Sequence, residues 1–226
     1  MSARHEEIRE NLEAVQQRIL AAATAAGRGV DEITLIAVSK LFPIEDAQSL
    51  YELGIRDFGE NRDDEGAFKS LLLPMDARWH FQGQIQSRKI SSIMGWADSI
   101  HSLDSLEHAA KCERALIELG ENREFFIQIN LEPQRRDRGG IALDELPQFL
   151  QSTEKFSQVR PVGVMAVLPI AADPRHSFET IATAASRCGL SKLSLGMSGD
   201  FEEAIASGAT HIRVGSSILG SRPTPA

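Results

Sequence analysis

The sequence predicts an α/β protein, a single (β/α)8 barrel of the TIM type with an extra N-terminal helix. Three observations point there. Short β-rich runs alternate strictly with helical stretches, about eight such units follow one another, and the first run is apolar on both faces. Strict alternation implies a parallel sheet with crossover helices, and eight units argue for closure into a barrel. A chain of 226 residues fits one compact barrel. An open doubly wound sheet is the alternative, but no Gly-x-Gly-x-x-Gly follows the first strand and no phosphate loop ends in Gly-Lys-Ser/Thr.

The elements follow in order. Ile8, Leu12, Val15 and Ile19 recur at helical spacing, which predicts an opening amphipathic helix ending near Gly27, an added element over one barrel end. Residues 33–38 form a strand without alternation, as in a sheet covered on both faces. Pro43 can start the next helix and Gly54 can end it. Further strands are expected at 55–59, 79–83, 98–103, 124–130, 162–168, 192–197 and 211–215. The helices between them are expected to about 73, then at 86–94, 105–119, 143–151, 175–188 and 201–207, with a short one at 217–220. Residues 1–222 are expected to form one domain and 223–226, with Pro223 and Pro225, a disordered tail.

Composition narrows the function. Hydrophobic residues make up 42% and charged residues 25%, ordinary for a soluble globular chain. A net charge of -8 argues against a broad nucleic-acid surface, though not against a small anionic ligand held by backbone amides and one or two cations. Cys112 and Cys188 stand far apart, in neither a zinc nor a disulfide pattern, and the histidines show no metal-ligand spacing. Neither a signal peptide nor a membrane-spanning run is visible, so the expected location is the cytoplasm.

Sites in such barrels gather at the C-terminal ends of the strands. The residues ending the strands here are Ser39, Lys40, Glu60, Asn61, His80, Gln82, His101, Asn130, Ser198, Arg213, Gly215 and Ser216, an expected polar ring. Lys40 directly follows an apolar strand. Desolvation there lowers a lysine pKa and frees the amine as a nucleophile for an aldehyde or ketone. Position alone favours a lysine that snorkels to solvent; the last two units shift that balance. Phosphate sites in these barrels are often built by the loops after strands seven and eight. Those loops read Gly196-Met197-Ser198-Gly199-Asp200 and Arg213-Val214-Gly215-Ser216-Ser217. Each alone fits helix caps and turns equally well, but their neighbourhood in a closed barrel favours phosphate. Arg135, Arg136 and Arg138 read as a solvated loop.

These motifs closely resemble the pyridoxal phosphate homeostasis protein family, a branch of the alanine-racemase-like fold type III barrels. The matching stretches are Leu35-Ile36-Ala37-Val38-Ser39-Lys40, Phe58-Gly59-Glu60-Asn61, Trp79-His80-Phe81-Gln82-Gly83, Gln128-Ile129-Asn130, Gly163-Val164-Met165, Leu193-Ser194-Leu195-Gly196-Met197-Ser198 and Ile212-Arg213-Val214-Gly215-Ser216. The resemblance implies that pyridoxal 5′-phosphate is held as a Schiff base on Lys40. It implies that Ser198, Gly215 and Ser216 hold the phosphate and that Arg213 approaches the pyridine nitrogen. Asn61, His80 and Met165 match positions around the cofactor. A permanently protonated arginine at the ring nitrogen would make the ring a weaker electron sink. Arg88 departs from the asparagine, and Arg138 from the lysine, that many relatives carry.

Two functions follow. One is a carrier that buffers pyridoxal phosphate and maintains vitamin B6 and amino-acid homeostasis, with PLP-dependent apoenzymes as partners and the chain a monomer. The other is an amino-acid racemase. Racemisation needs acid–base groups on both faces of the substrate α-carbon. Lys40 can serve one face, no second group is evident, and Tyr51, the only tyrosine, is expected away from the mouth. No catalytic residue and no metal site are therefore assigned, and the carrier reading is preferred.

Overall fold

The computed structural model describes residues 2–135 and 138–221. Arg136, Asp137 and the expected tail at 223–226 lie outside the described residues. Within them run α1 (Ala3–Ala25), β1 (Thr34–Val38), α2 (Ile44–Glu52), β2 (Asp57–Glu60), α3 (Asp63–Ser70), β3 (Arg78–Phe81), α4 (Ile90–Trp96), β4 (Ser99–Leu103) and α5 (Leu106–Leu119). There follow β5 (Glu124–Ile129), α6 (Leu146–Thr153), β6 (Pro161–Ala166), α7 (Pro174–Arg187), β7 (Lys192–Met197), α8 (Phe201–Ala206), β8 (His211–Val214) and α9 (Ser216–Leu219). The strands pair in sequence order and β1 closes on β8, every pair parallel. The expected barrel is therefore the observed one.

Local chemistry sets the boundaries. Ser105 accepts a hydrogen bond from the His108 amide and starts α5, which ends at Gly120 with φ 69°. Asp173 caps α7 with Pro174 at its first position. The expected helix at 86–94 opens instead with a 3-10 turn at Ser87–Lys89 before α4.

Helix α1 does not cover a barrel end. It packs on the outer wall against α2, α8 and α9. Among the described residues only the four-residue α9 follows β8, and α1 takes the eighth place in the helical ring, packed on α2, α8 and α9. Its stripe of Ile8, Leu12, Val15 and Ile19 is at most 4% exposed, each contributing about 1.5–3 kcal/mol of burial. Polar contacts fix its ends. Arg4 Nη2 donates to the Leu219 carbonyl at 2.9 Å and Asn11 Nδ2 to the Ile218 carbonyl at 3.0 Å. At the other end, Arg28 Nη1 donates to the carbonyls of Ile205 and Ala209.

Outward strand residues pack under the helices, for example Phe58 against Trp79 with ring centroids 5.2 Å apart. The lumen is different. His101 of β4 contacts Ser194 of β7 and the ring of His211 of β8, strands that are not its neighbours. Those contacts cross the barrel interior, where polar groups pack around the buried ring of Phe126.

Candidate functional site

Lys40 leaves β1 in a turn under conformational tension. Leu41, a non-glycine residue, sits at φ 66°, a left-handed conformation that costs of order 1–3 kcal/mol and persists where the surroundings enforce it. Those surroundings are specific. The Leu41 amide donates to Glu65 Oε2 at 2.8 Å and the Phe42 amide to the Ser39 carbonyl at 3.1 Å. Beneath the turn, Lys69 Nζ donates to the Ser39 carbonyl at 2.8 Å and to Glu60 Oε1 at 2.7 Å, and Ser39 Oγ donates to the same oxygen at 2.7 Å. Glu60 is fully buried and Lys69 nearly so. Burial holds the Glu60 carboxyl above its ordinary range against the opposing pull of Lys69.

Lys40 lines a cavity of about 330 Å³ at the C-terminal end of the strands, within the usual range for small-molecule sites. The structure brings Lys40, Asn61, Met165, Ser198, Arg213, Gly215 and Ser216 together there. The expected polar ring is narrower than its sequence suggests. Ser39 and Glu60 face the helical layer through Lys69. Asn130 accepts from the Glu132 amide and borders a separate groove. His80 is absent from the cavity lining. It lies deeper in the lumen, with Nε2 2.9 Å from Asp57 Oδ1 and Nδ1 2.9 Å from His101 Nε2. The rim arginines stand apart as well: Arg88 sits in the exposed turn before α4, and Arg138 Nε lies 3.5 Å from Glu132.

The other end of the cavity is built by the last two loops. Ser198 Oγ accepts long hydrogen bonds from the amides of Gly215 (3.3 Å) and Ser217 (3.4 Å), tying the β7 loop to the start of α9. A Cβ on Gly215 would lie 3.1 Å from the Val38 carbonyl, so glycine lets this loop press onto β1. At Gly199 a Cβ would meet nothing within 4 Å. Hydroxyls and backbone amides thus converge around open space, the donor set an anion requires.

Arg213 lies between the two ends, 5% exposed. Its Nη2 donates to the Ala166 carbonyl at 2.7 Å, and Nη1 donates to both the carbonyl and the hydroxyl of Ser194. Burial pulls the guanidinium down to about 10, with Asp200 opposing, so it remains a cation at neutral pH. Two buried amide atoms on the cavity wall, Asn61 Oδ1 and Gln82 Nε2, have no hydrogen-bond partner among the described residues. Unpaired buried polar atoms are costly and point to a ligand or ordered water. An amine, a guanidinium, an anion-ready end and two unpaired amide atoms fit a small phosphorylated aldehyde with a polar ring. Sequence reasoning placed Gln82 in the polar ring without giving it a ligand role. It passed over Lys69 altogether, although the buried stripe Asp63, Gly66, Lys69 and Leu73 has helical spacing.

Fold and pocket together define an alanine-racemase-type barrel. The family model described as alanine racemase, N-terminal domain, matches residues 6–223. The pyridoxal phosphate homeostasis protein of Mycobacterium leprae is 35% identical, over 96% of this chain and 93% of that one. Its counterpart from Synechocystis is 36% identical, over 84% and 92%. Among solved structures, PipY of Synechococcus elongatus without PLP superposes with a TM-score of 0.84 at 31% identity, covering 94% of this chain and all of that one. A second PipY structure, with PLP bound, gives 0.80. Alanine racemase of Clostridium difficile shares the fold at TM-score 0.73 and 16% identity; this chain spans 58% of it. The chain belongs to the pyridoxal phosphate homeostasis protein family. Among the described residues no helix is long and apolar enough to cross a membrane.

Proposed function

We propose that this chain binds pyridoxal 5′-phosphate covalently at Lys40 and acts as a carrier and buffer of that cofactor. The observation that carries this reading is the meeting, in one cavity, of the Lys40 amine, the buried Arg213 and the Ser198–Gly215–Ser216 cradle. The PLP-bound structure of the relative PipY supports it. When bound, the cofactor supplies an aldehyde that condenses with a primary amine.

The residues divide the work. The turn braced by Lys69 and Glu65 directs Lys40. Ser198 and Ser216 hydroxyls with the Gly215 amide hold the phosphate through charge-assisted bonds. Arg213 would approach the pyridine nitrogen and, as a cation, would disfavour its protonation. Asn61 and Met165 border the ring, and His80 acts only at a distance through the lumen. The carrier reading is favoured over a racemase by the cavity lining. Beside Lys40, its other titratable group among the described residues is Arg213. Tyr51 donates to Asp76 on the outer surface, near the start of β3. Among the described residues the cavity lining offers no second acid–base group for the opposite face of a substrate α-carbon. We extend the reading to one domain over residues 1–222, a monomer in the cytoplasm that hands its cofactor to PLP-dependent apoenzymes.

Absorbance of purified protein loaded with pyridoxal phosphate tests this. The wild type carries a visible band that survives dialysis, Lys40→Ala loses it, and L-amino acids are not racemised. A band retained by Lys40→Ala overturns the attachment, and sustained racemisation overturns the carrier role.

A further inference from the structure

Barrel lumens of this kind are ordinarily filled by branched aliphatic side chains. Here a continuous hydrogen-bonded chain crosses the lumen from the cavity to the far rim. Arg213 Nη1 lies 2.9 Å from Ser194 Oγ, Ser194 Oγ 2.9 Å from His101 Nδ1, His101 Nε2 2.9 Å from His80 Nδ1, and His80 Nε2 2.9 Å from Asp57 Oδ1. Arg78, largely exposed, closes the far end with two bonds to Asp57.

The two ends fix the direction of the terminal bonds, and the tautomers of His80 and His101 set the bonds between them. Burial pushes the Asp57 carboxyl up, but the bonds from His80 and Arg78 outweigh it and hold the group below its ordinary range. Asp57 is therefore an acceptor, and His80 Nε2 carries a proton. When Nε2–H is the single proton on His80, Nδ1 accepts from His101 Nε2, which also lies 3.1 Å from Ser99 Oγ. His101 Nδ1 accepts the Ser194 hydroxyl proton, and Ser194 Oγ accepts from Arg213. All donors point from the cation to the anion, an arrangement in which each bond polarises the next.

The groups facing His101 come from every side: His80 on β3, Phe126 stacked at 4.3 Å on β5, Lys192 and Ser194 on β7, and His211 and Arg213 on β8. Asp57 reaches His101 through His80, and Glu124 pairs with Lys192. Burial first, then the electrostatic influence of His80, His211, Arg213 and Lys192, holds His101 well below the usual imidazole range, so it is neutral.

We propose that Ser194, His101, His80 and Asp57 are positioning residues that hold the Arg213 guanidinium in register with the bound ring, through the Nε2–H tautomer of His101. The proposal rests on the cofactor reading for what Arg213 faces, but the tautomer does not. Nitrogen-15 histidine spectra of unloaded wild-type protein should show His101 neutral and protonated on Nε2 from pH 8 to pH 5. An Nδ1–H or doubly protonated ring overturns the relay whether or not any cofactor binds. On loaded protein, His101→Phe fills the volume but breaks the chain, whereas His101→Gln can accept from Ser194 and donate to His80. His101→Phe should weaken cofactor retention about tenfold, the scale of one hydrogen bond to a charged group, and should shift the pH profile of the visible band. His101→Gln should restore both to within about twofold, the sub-kcal scale of a conserved bond. Wild-type behaviour in His101→Phe, or equal defects in both variants, overturns the proposal. Wild-type protein without an adduct at Lys40 would instead sink the cofactor reading. Should His101→Phe not fold, Ser194→Ala replaces it with the same expected loss.

Discussion

Lowering the pH should destabilise the unloaded protein through His211, and the size of the effect can be worked out. His211 is buried, and burial first, with His80 and Lys192, pulls its imidazole down to about 3. In the unfolded chain the same ring titrates near 6.5. Between those values the unfolded state binds a proton that the folded state refuses. Stability therefore falls as pH falls through 6.5, at about 1.4 kcal/mol per pH unit until the folded ring titrates. From pH 7 to pH 5 this amounts to about 2 kcal/mol, or about 4–8 °C in Tm for a chain of this size. His101 contributes with the same sign. Glu60 opposes it, because its raised carboxyl takes up protons in the folded state first. His211→Gln removes the His211 contribution and relaxes that of its neighbour His101 in the same direction, leaving Glu60 common to both proteins. Urea unfolding at pH 7.5, 6.5, 5.5 and 5.0 should show the stability difference between wild type and His211→Gln moving by about 2 kcal/mol in favour of the variant. A difference that stays constant across that range would refute the reasoning.

Lys69→Met should cost about 3–5 kcal/mol in urea unfolding, because it strands a buried carboxylate at Glu60; adding Glu60→Gln should recover much of that loss. Asn11→Ala removes the bond to the Ile218 carbonyl and should cost about 0.5–1.5 kcal/mol, while dialysis should show faster cofactor loss as α9 loosens. Ser198→Ala with Ser216→Ala should weaken cofactor retention at least tenfold, as expected for charge-assisted contacts, with covalent attachment at Lys40 still detectable after borohydride reduction.

Much of the fold was legible because parallel barrels write themselves as repeated units. The apolar run before Ser39 and the glycine-bounded helices needed only period and punctuation. The position of α1 was not legible, since its contacts with α2, α8 and α9 exist only once the barrel is closed. The site was legible where loop chemistry is local, at Lys40, Ser198, Gly215 and Ser216. Strand parity explains two departures. Val38, Lys40 and Asn61 line the cavity, so Ser39 and Glu60, one position away, face the helices. Stagger explains that of His80. His80 is near the end of β3, yet it pairs with Ser99 at the start of β4, which sets it low in the lumen. Neither the cross-lumen partners of His101 nor the bracing of Lys40 by Lys69 could be read without the closed barrel.

Peptide mapping after borohydride reduction of the loaded wild-type protein tests the central claim most directly. The account predicts a single pyridoxyl-phosphate adduct, carried by the peptide containing Lys40. An adduct confined to another lysine, or no adduct under conditions that saturate binding, would contradict it.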